Sequence, residues 1–187
     1  MISEDQHNWS DSYPYLSNLI NQFDLRVGVE LGVAAGRHSE YILYRTGVRR
    51  LYSIDRWQHV DGYDDPMNLP QNEHDELYEY VSQKLSKFGD RSVVVRKDTT
   101  SASDLFENES LDFVYVDADH SYEGCKRDLL AWIPKIKKGG FITGHDLNWE
   151  SVSKAIIEVL PTFGINSVIA IGEACWAQQV PFSVIEK

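Results

Sequence analysis

The stretch Val27–Leu43, VGVELGVAAGRHSEYIL, decides how the chain is read. An apolar run stops at Glu30. A loop of small residues carries Gly32 and Gly36, and a helix-like pattern follows. Strand, glycine loop and helix in that order form the opening unit of an α/β sheet. The near absence of bulk between the glycines means that something approaches this backbone closely.

Elements of the same kind continue outward from that unit. A helix is expected at Tyr13–Phe23, ahead of the first strand at 26–31, and another at 36–47. RLYSID (50–55) reads as the second strand, SVVVRKD (92–98) as the third, LDFVYVDAD (111–119) as the fourth and GGFITGHD (139–146) as the fifth. Between them, 76–88 places Leu77, Val81, Leu85 and Phe88 on one helical face. A short helix is expected at 101–108. A longer one at 122–138 has Tyr122, Cys125, Leu129, Trp132 and Ile136 at helical spacing, and the last covers 150–163. The tail from Asn166 has strand-like residues on both sides of Gly172 and reads as an antiparallel hairpin at the sheet edge. The expected fold is therefore a Rossmann-like, seven-stranded, mostly parallel α/β sheet with helices on both faces. We expect residues 1–187 to form one domain, with 1–24 as an N-terminal helical segment and 57–75 as a lid or substrate loop, because so long a stretch without periodicity is uncommon in a compact domain.

Composition narrows the partners. With 18 Lys and Arg against 29 Asp and Glu, the formal net charge is −11, which opposes nucleic acid and anionic membranes. No apolar run approaches a membrane span, and the first residues, MISEDQHNWSDSYPY, do not read as a secretory leader. Two scattered cysteines, Cys125 and Cys175, suit buried thiols rather than a disulfide scaffold, and a cytoplasmic location is expected. Four histidines, His7, His38, His59 and His74, sit in polar context and are expected at the surface.

Ligands of open α/β sheets bind beyond the carboxyl ends of the strands. Those ends carry Glu30 to Gly36, Asp55, Asp98, Asp117 to His120, and His145 with Asp146. A dinucleotide fingerprint counted from Gly32 would need glycine at Ala34 and Arg37, and no Gly-Lys-Ser/Thr follows for a P-loop. A dinucleotide oxidoreductase is thus disfavoured.

The pattern E-x-G-x-x-x-G at Glu30–Gly36 resembles the first motif of class I S-adenosylmethionine-dependent methyltransferases. Asp55 stands where that family holds the ribose hydroxyls, although it could also be a plain strand-end cap. Asp98 and Thr99, in KDTTS, stand where the family contacts adenine, and Asp98 could cap a helix as well. LDFVYVDADHSYEG resembles the family's fourth motif, and KKGGFITGHD the turn and strand that follow. The likeness covers nearly the whole chain from Tyr13 and is closest to sugar and macrolide-sugar O-methyltransferases.

That resemblance implies methyl transfer to a small-molecule acceptor, on a hydroxyl. The cofactor contacts would be Glu30, Gly32, Gly36, Asp55, Asp98, Thr99 and Asp117. Asp117, His120 and His145 would be catalytic. Asp117, His145 and Asp146 form a candidate site for Mg²⁺ or Mn²⁺, but in the sugar-methylating relatives an aspartate pair stands where this chain has His145–Asp146. The imidazole weakens a Mg²⁺ site and admits softer ions such as Fe²⁺ or Zn²⁺. Two other readings stay open: a hydroxylase-type relative of the same fold, and a cofactor-binding module without turnover.

Overall fold

A computed structural model describes residues 10–63, 67–172 and 174–181. Expectations for His7, and for parts of the N-terminal segment, the candidate lid and the tail, lie outside those residues. The chain order is α1 (Tyr13–Phe23), β1 (Val27–Leu31), α2 (Arg37–Arg45), β2 (Arg50–Asp55), α3 (Gln71–Ser86), β3 (Ser92–Arg96), α4 (Thr99–Ala102), β4 (Leu111–Val116), α5 (Tyr122–Trp132), β5 (Ile136–Gly144), α6 (Glu150–Val159), β6 (Ile169–Gly172) and β7 (Cys175–Gln179). The strands form one seven-stranded sheet in the order β3-β2-β1-β4-β5-β7-β6. The first five run parallel, and β7 pairs antiparallel with both β5 and β6.

Alternation along the strands builds a core on each face. In β4, Val114 and Val116 join Leu129, Trp132 and Ile156 in the core under α5 and α6. Phe113 and Tyr115 point the other way, into the core with Leu16 of α1, Ile42 of α2 and Val81 of α3. The strand order reverses between β1 and β4, so the switch point lies where the glycine loop leaves β1.

Four boundaries differ from the sequence reading. Gln71–Asp75 belongs to α3, which starts after Pro70 and so shortens the candidate lid. α4 starts at Thr99 rather than Ser101, because Asp98 caps it by accepting from the Ser101 backbone N–H at 2.9 Å. α5 stops at Trp132 in a 3₁₀ turn containing Pro134, and Ile136 opens β5 opposite Leu111 instead of extending the helix face. Pro161 lies in the 3₁₀ turn that follows α6 at Leu160.

Candidate active site

A cavity of about 390 Å³ opens at the switch point. Its wall includes Glu30, Gly32, Asp55, Asp98, Thr99, Asp117 and His120, so strand ends far apart in sequence meet there. Gly36, His145 and Asp146 are not part of that wall.

The glycine loop is tight for an internal reason. Gly32 has φ +82°, and a Cβ there would lie 1.8 Å from the Asp117 carbonyl oxygen. The backbone that comes close is therefore the end of β4. Backbone bonds past the strand ends hold this register: Gly32 N–H donates to Ile54 O at 2.9 Å, and Asp117 N–H to Leu31 O at 2.9 Å. Gly36, at φ +69°, precedes α2 and would place a Cβ 3.0 Å from Val81 Cγ1.

Asp55 braces the same loop. Its Oδ2 accepts from the Val33 and Ala34 N–H groups at 2.9 and 3.0 Å, and its Oδ1 from the Trp57 N–H at 2.9 Å. A carboxylate offers about four lone-pair sites, so about one remains for a ligand. Trp57 is buried, and its Nε1 donates to Ala34 O at 3.0 Å. The residue expected in a lid thus fastens the glycine loop. The segment beyond it is bonded to itself, with the Asn68 amide reaching Val60 O at 2.8 Å and Tyr63 O at 2.7 Å.

Glu30 is buried and turned into a polar network: His38 Nδ1 lies 2.9 Å from its Oε1, and Ser39 Oγ donates to its Oε2. His38 is packed between the rings of Tyr13 and Tyr115, at 4.8 and 4.7 Å between centroids. The expectation that His38 and His74 are surface residues is wrong: they are 8% and 7% exposed, and both line the cavity. Among the described residues His74 has no hydrogen-bond partner for either ring nitrogen, and burial lowers its pKa, which favours the neutral ring. His59 is exposed, as expected.

The β4 and β5 ends carry the opposite chemistry. His120 Nε2 lies 3.0 Å from Asp146 Oδ2 and 3.5 Å from Asp117 Oδ1. His145 Nδ1 lies 3.1 Å from Asp146 Oδ1. The Asp117 carboxylate, then that of Asp146, pushes the His120 pKa up to about 10. Asp146, then Cys175, does the same for His145, also to about 10. Asp146 is held well below the usual carboxylate range, because hydrogen bonds from His120 and His145 outweigh its burial. Both rings are therefore protonated at neutral pH, and a free base is not the resting state of either.

Among the described residues, the group able to close on one ion is Asp117, His120 and Asp146, whose ligand atoms all lie within 4.8 Å of one another. His120 takes the place that the sequence reading gave to His145. Once the His120 ring gives up its proton, two carboxylates and an imidazole are a donor set that suits a divalent cation. Asp146 sits at φ +57°, a conformation aspartate tolerates.

The sequence reading assigns no role to one further residue of the cavity wall. Asp128, on α5, lines the cavity and accepts from the hydroxyls of Thr99 and Thr100. The signal for its burial was present: it stands three residues after Cys125 and four before Trp132, on the apolar stripe of the helix. The spacing His74–Leu77–Val81–Leu85 carried the same signal for His74.

Comparison with known proteins bears on this site. An uncharacterized protein of Sinorhizobium fredii (strain NBRC 101917 / NGR234), y4gI, is 28% identical over 152 residues, which cover 76% of this chain and 15% of that protein. The chain spans about 15% of the length of that curated relative. Similar solved structures include CalS11, a calicheamicin methyltransferase (TM-score 0.66, 21% identity, 90% of this chain and 77% of that one). The O-methyltransferase NovP has a TM-score of 0.66 at 18% identity, over 91% of this chain and 78% of its own. An O-methyltransferase from Bacillus cereus in complex with SAH has a TM-score of 0.63 at 14% identity, over 91% and 81%. These likenesses establish the fold. A family model described as a methyltransferase domain matches residues 29–147, well over half of the 187 residues and the whole run from β1 to the β5 end. The chain belongs to the methyltransferase-domain family.

Proposed function

We propose that this chain, acting as one domain over residues 1–187, transfers a methyl group from S-adenosylmethionine to a hydroxyl of a small-molecule acceptor. The observation that carries the reading is the cavity at the switch point, walled by residues from four strand ends. In it, the Gly32–Ala35 backbone faces the methionine part of the cofactor. The remaining lone pair of Asp55 takes a ribose hydroxyl, and Asp98 with Thr99 faces the base. Glu30 acts through the network that fixes His38, and Gly36 through the turn into α2.

The cofactor supplies a methyl already activated on a sulfonium. An acceptor oxygen displaces it as the C–O bond forms and the C–S bond breaks, and the oxygen must shed its proton. Asp117 borders this point, and its carboxylate takes that proton. His120, protonated and paired with Asp146, acts on the acceptor oxygen by charge and hydrogen bonding rather than by taking its proton, and His145, outside the cavity wall, acts through Asp146. A divalent ion such as Mg²⁺ or Mn²⁺, if it displaced the His120 proton and were held by Asp117, His120 and Asp146, would instead supply Lewis acidity that lowers the hydroxyl pKa. Tyr13 of α1 and Tyr63 of the 57–70 segment offer aromatic walls for the acceptor. A sugar hydroxyl fits the reading, since the neighbour CalS11 is a TDP-rhamnose 3'-O-methyltransferase. A cytoplasmic location goes with it, in keeping with two free, buried thiols. Among the described residues no helix is long and apolar enough to cross a membrane.

The test is product analysis with methyl-labelled S-adenosylmethionine and a panel of hydroxylated acceptors that includes sugar nucleotides. A labelled methyl ether is expected. A hydroxylated product without label would favour the hydroxylase-type reading, and cofactor binding without any product would favour a binding module.

A further inference from the structure

Asp128 is 1% exposed. Its Oδ1 accepts from Thr99 Oγ1 at 3.0 Å and from Thr100 Oγ1 at 2.7 Å, and its Oδ2 accepts from Thr99 Oγ1 at 2.9 Å. One helical turn further on, Trp132 Nε1 donates to Thr99 O at 2.9 Å. Two side chains of α5 thus pin the turn that leads from β3 into α4. A threonine hydroxyl has one hydrogen and two lone pairs, and an ionised carboxylate has no hydrogen to give. Both threonine hydrogens are therefore committed to Asp128. Thr99 and Thr100 line the cavity, and what their hydroxyls have left to offer a ligand is acceptor lone pairs.

We infer that Asp128 is a positioning residue that fixes the polarity of the base end of the cavity: through Thr99 and Thr100 it presents acceptors, so the site takes a purine with an exocyclic 6-amino donor and turns away one with a 6-oxo acceptor. This rests on the reading above, in which the turn after β3 faces the base of S-adenosylmethionine. A 6-oxo group would set lone pair against lone pair in a partly buried place, where a mismatched polar group is costly.

The charge state of Asp128 supports the inference and adds a second readout. Burial raises its pKa to about 6. The Thr100 and Thr99 hydroxyls oppose that rise, and the carboxylates facing it, Asp98 from the turn after β3 and Asp119 from the loop after β4, add to it. Once protonated, Asp128 must donate its hydrogen to one threonine, which then turns its own hydrogen toward the cavity. Discrimination should weaken as pH falls through about 6.

The experiment is calorimetric titration of the full chain with S-adenosylhomocysteine and with its inosine counterpart, at about pH 7.5 and about pH 5.5, on either side of that midpoint. At the higher pH the adenosine compound should bind at least about tenfold more tightly. Asp128→Asn keeps the shape but offers one threonine an amide donor. It should cut the preference to about threefold or less and abolish its pH dependence. Thr99→Ser should keep the preference and Thr99→Val should lower it, which decides the matter if Asp128→Asn does not fold. An unchanged preference in Asp128→Asn, or equal preferences in the two Thr99 variants, would overturn the inference while leaving the cofactor reading intact. Failure of S-adenosylhomocysteine to bind the unmodified chain would overturn both.

Discussion

The two sides of the switch point are held by different means. At the end of β2, Asp55 is satisfied by three backbone N–H groups, and Gly32 fits against a backbone carbonyl. At the ends of β4 and β5, Asp117 and Asp146 are balanced by two imidazolium rings. Backbone bracing fixes shape and leaves little to titrate. Side-chain charge balance leaves a cluster that can exchange a proton, or a proton for a cation. On the reading proposed above, the first side holds the cofactor and the second acts on the acceptor. Damage to the first should appear in stability and binding together, whereas damage to the second should appear in turnover.

The largest effect is expected at Gly32. Gly32→Ala combines a strained φ with overlap on the Asp117 carbonyl and should cost about 3 kcal/mol or more in urea unfolding. Gly36→Ala, whose Cβ meets only the Val81 side chain, should cost about 1 kcal/mol. Equal costs would break the claim that Gly32 answers to the β4 backbone.

His120→Ala sharpens the other half of the comparison. Steady-state kinetics should show kcat lower by about 10²-fold, while calorimetry gives an S-adenosylhomocysteine affinity within about threefold of the parent. A parallel loss of affinity would mean that the charged end is part of the cofactor seat.

For Asp55→Ala, the expected loss of cofactor affinity is about 1.5–3 kcal/mol, the range for hydrogen bonds to a charged group. The melting temperature should fall as well, because three backbone N–H groups lose their acceptor. Weaker binding with unchanged melting would show that the bracing role is absent.

How much of this was legible follows from the kind of contact involved. Strands β1 to β5 were readable because each is an apolar run that ends at a polar residue or a glycine, and the candidate site residues stand at or just beyond those ends. The pairing of His120 with Asp146 was not, since it joins two loops through the geometry of the β4–β5 register rather than through spacing. His38 looked like a surface residue because its neighbours Arg37, Ser39 and Glu40 are polar, and Asp128 drew no reading at all. Their burial follows from helical stripes, His38–Ile42 on α2 and Cys125–Asp128–Trp132 on α5, once charge is allowed to sit on an apolar face. The start of α3 was hidden by the polar run 71–75, although Pro70 followed by Glu73 is a helix-start signal.

The pH dependence of stability tests the charge balance separately. His120 and His145 are raised from 6.5 to about 10, so their contribution is full below 6.5 and lost as pH rises through about 10. Asp146 is lowered from 3.8, so its contribution is present above 3.8 and lost as pH falls through its lower folded value. Chemical unfolding followed against pH should show the charged cluster contributing fully between those limits. Asp146→Asn should flatten the alkaline fall, and an unaltered alkaline limb in that variant would contradict the charge-balance account.

The central claim, that the cavity at the β1–β4 switch point is a seat for S-adenosylmethionine, is tested most directly by calorimetry of the unmodified chain with S-adenosylhomocysteine and, separately, with NAD. Saturable one-to-one binding of S-adenosylhomocysteine, weakened by Asp55→Ala, and no measurable binding of NAD is the predicted result. Binding of NAD in preference to S-adenosylhomocysteine would contradict it.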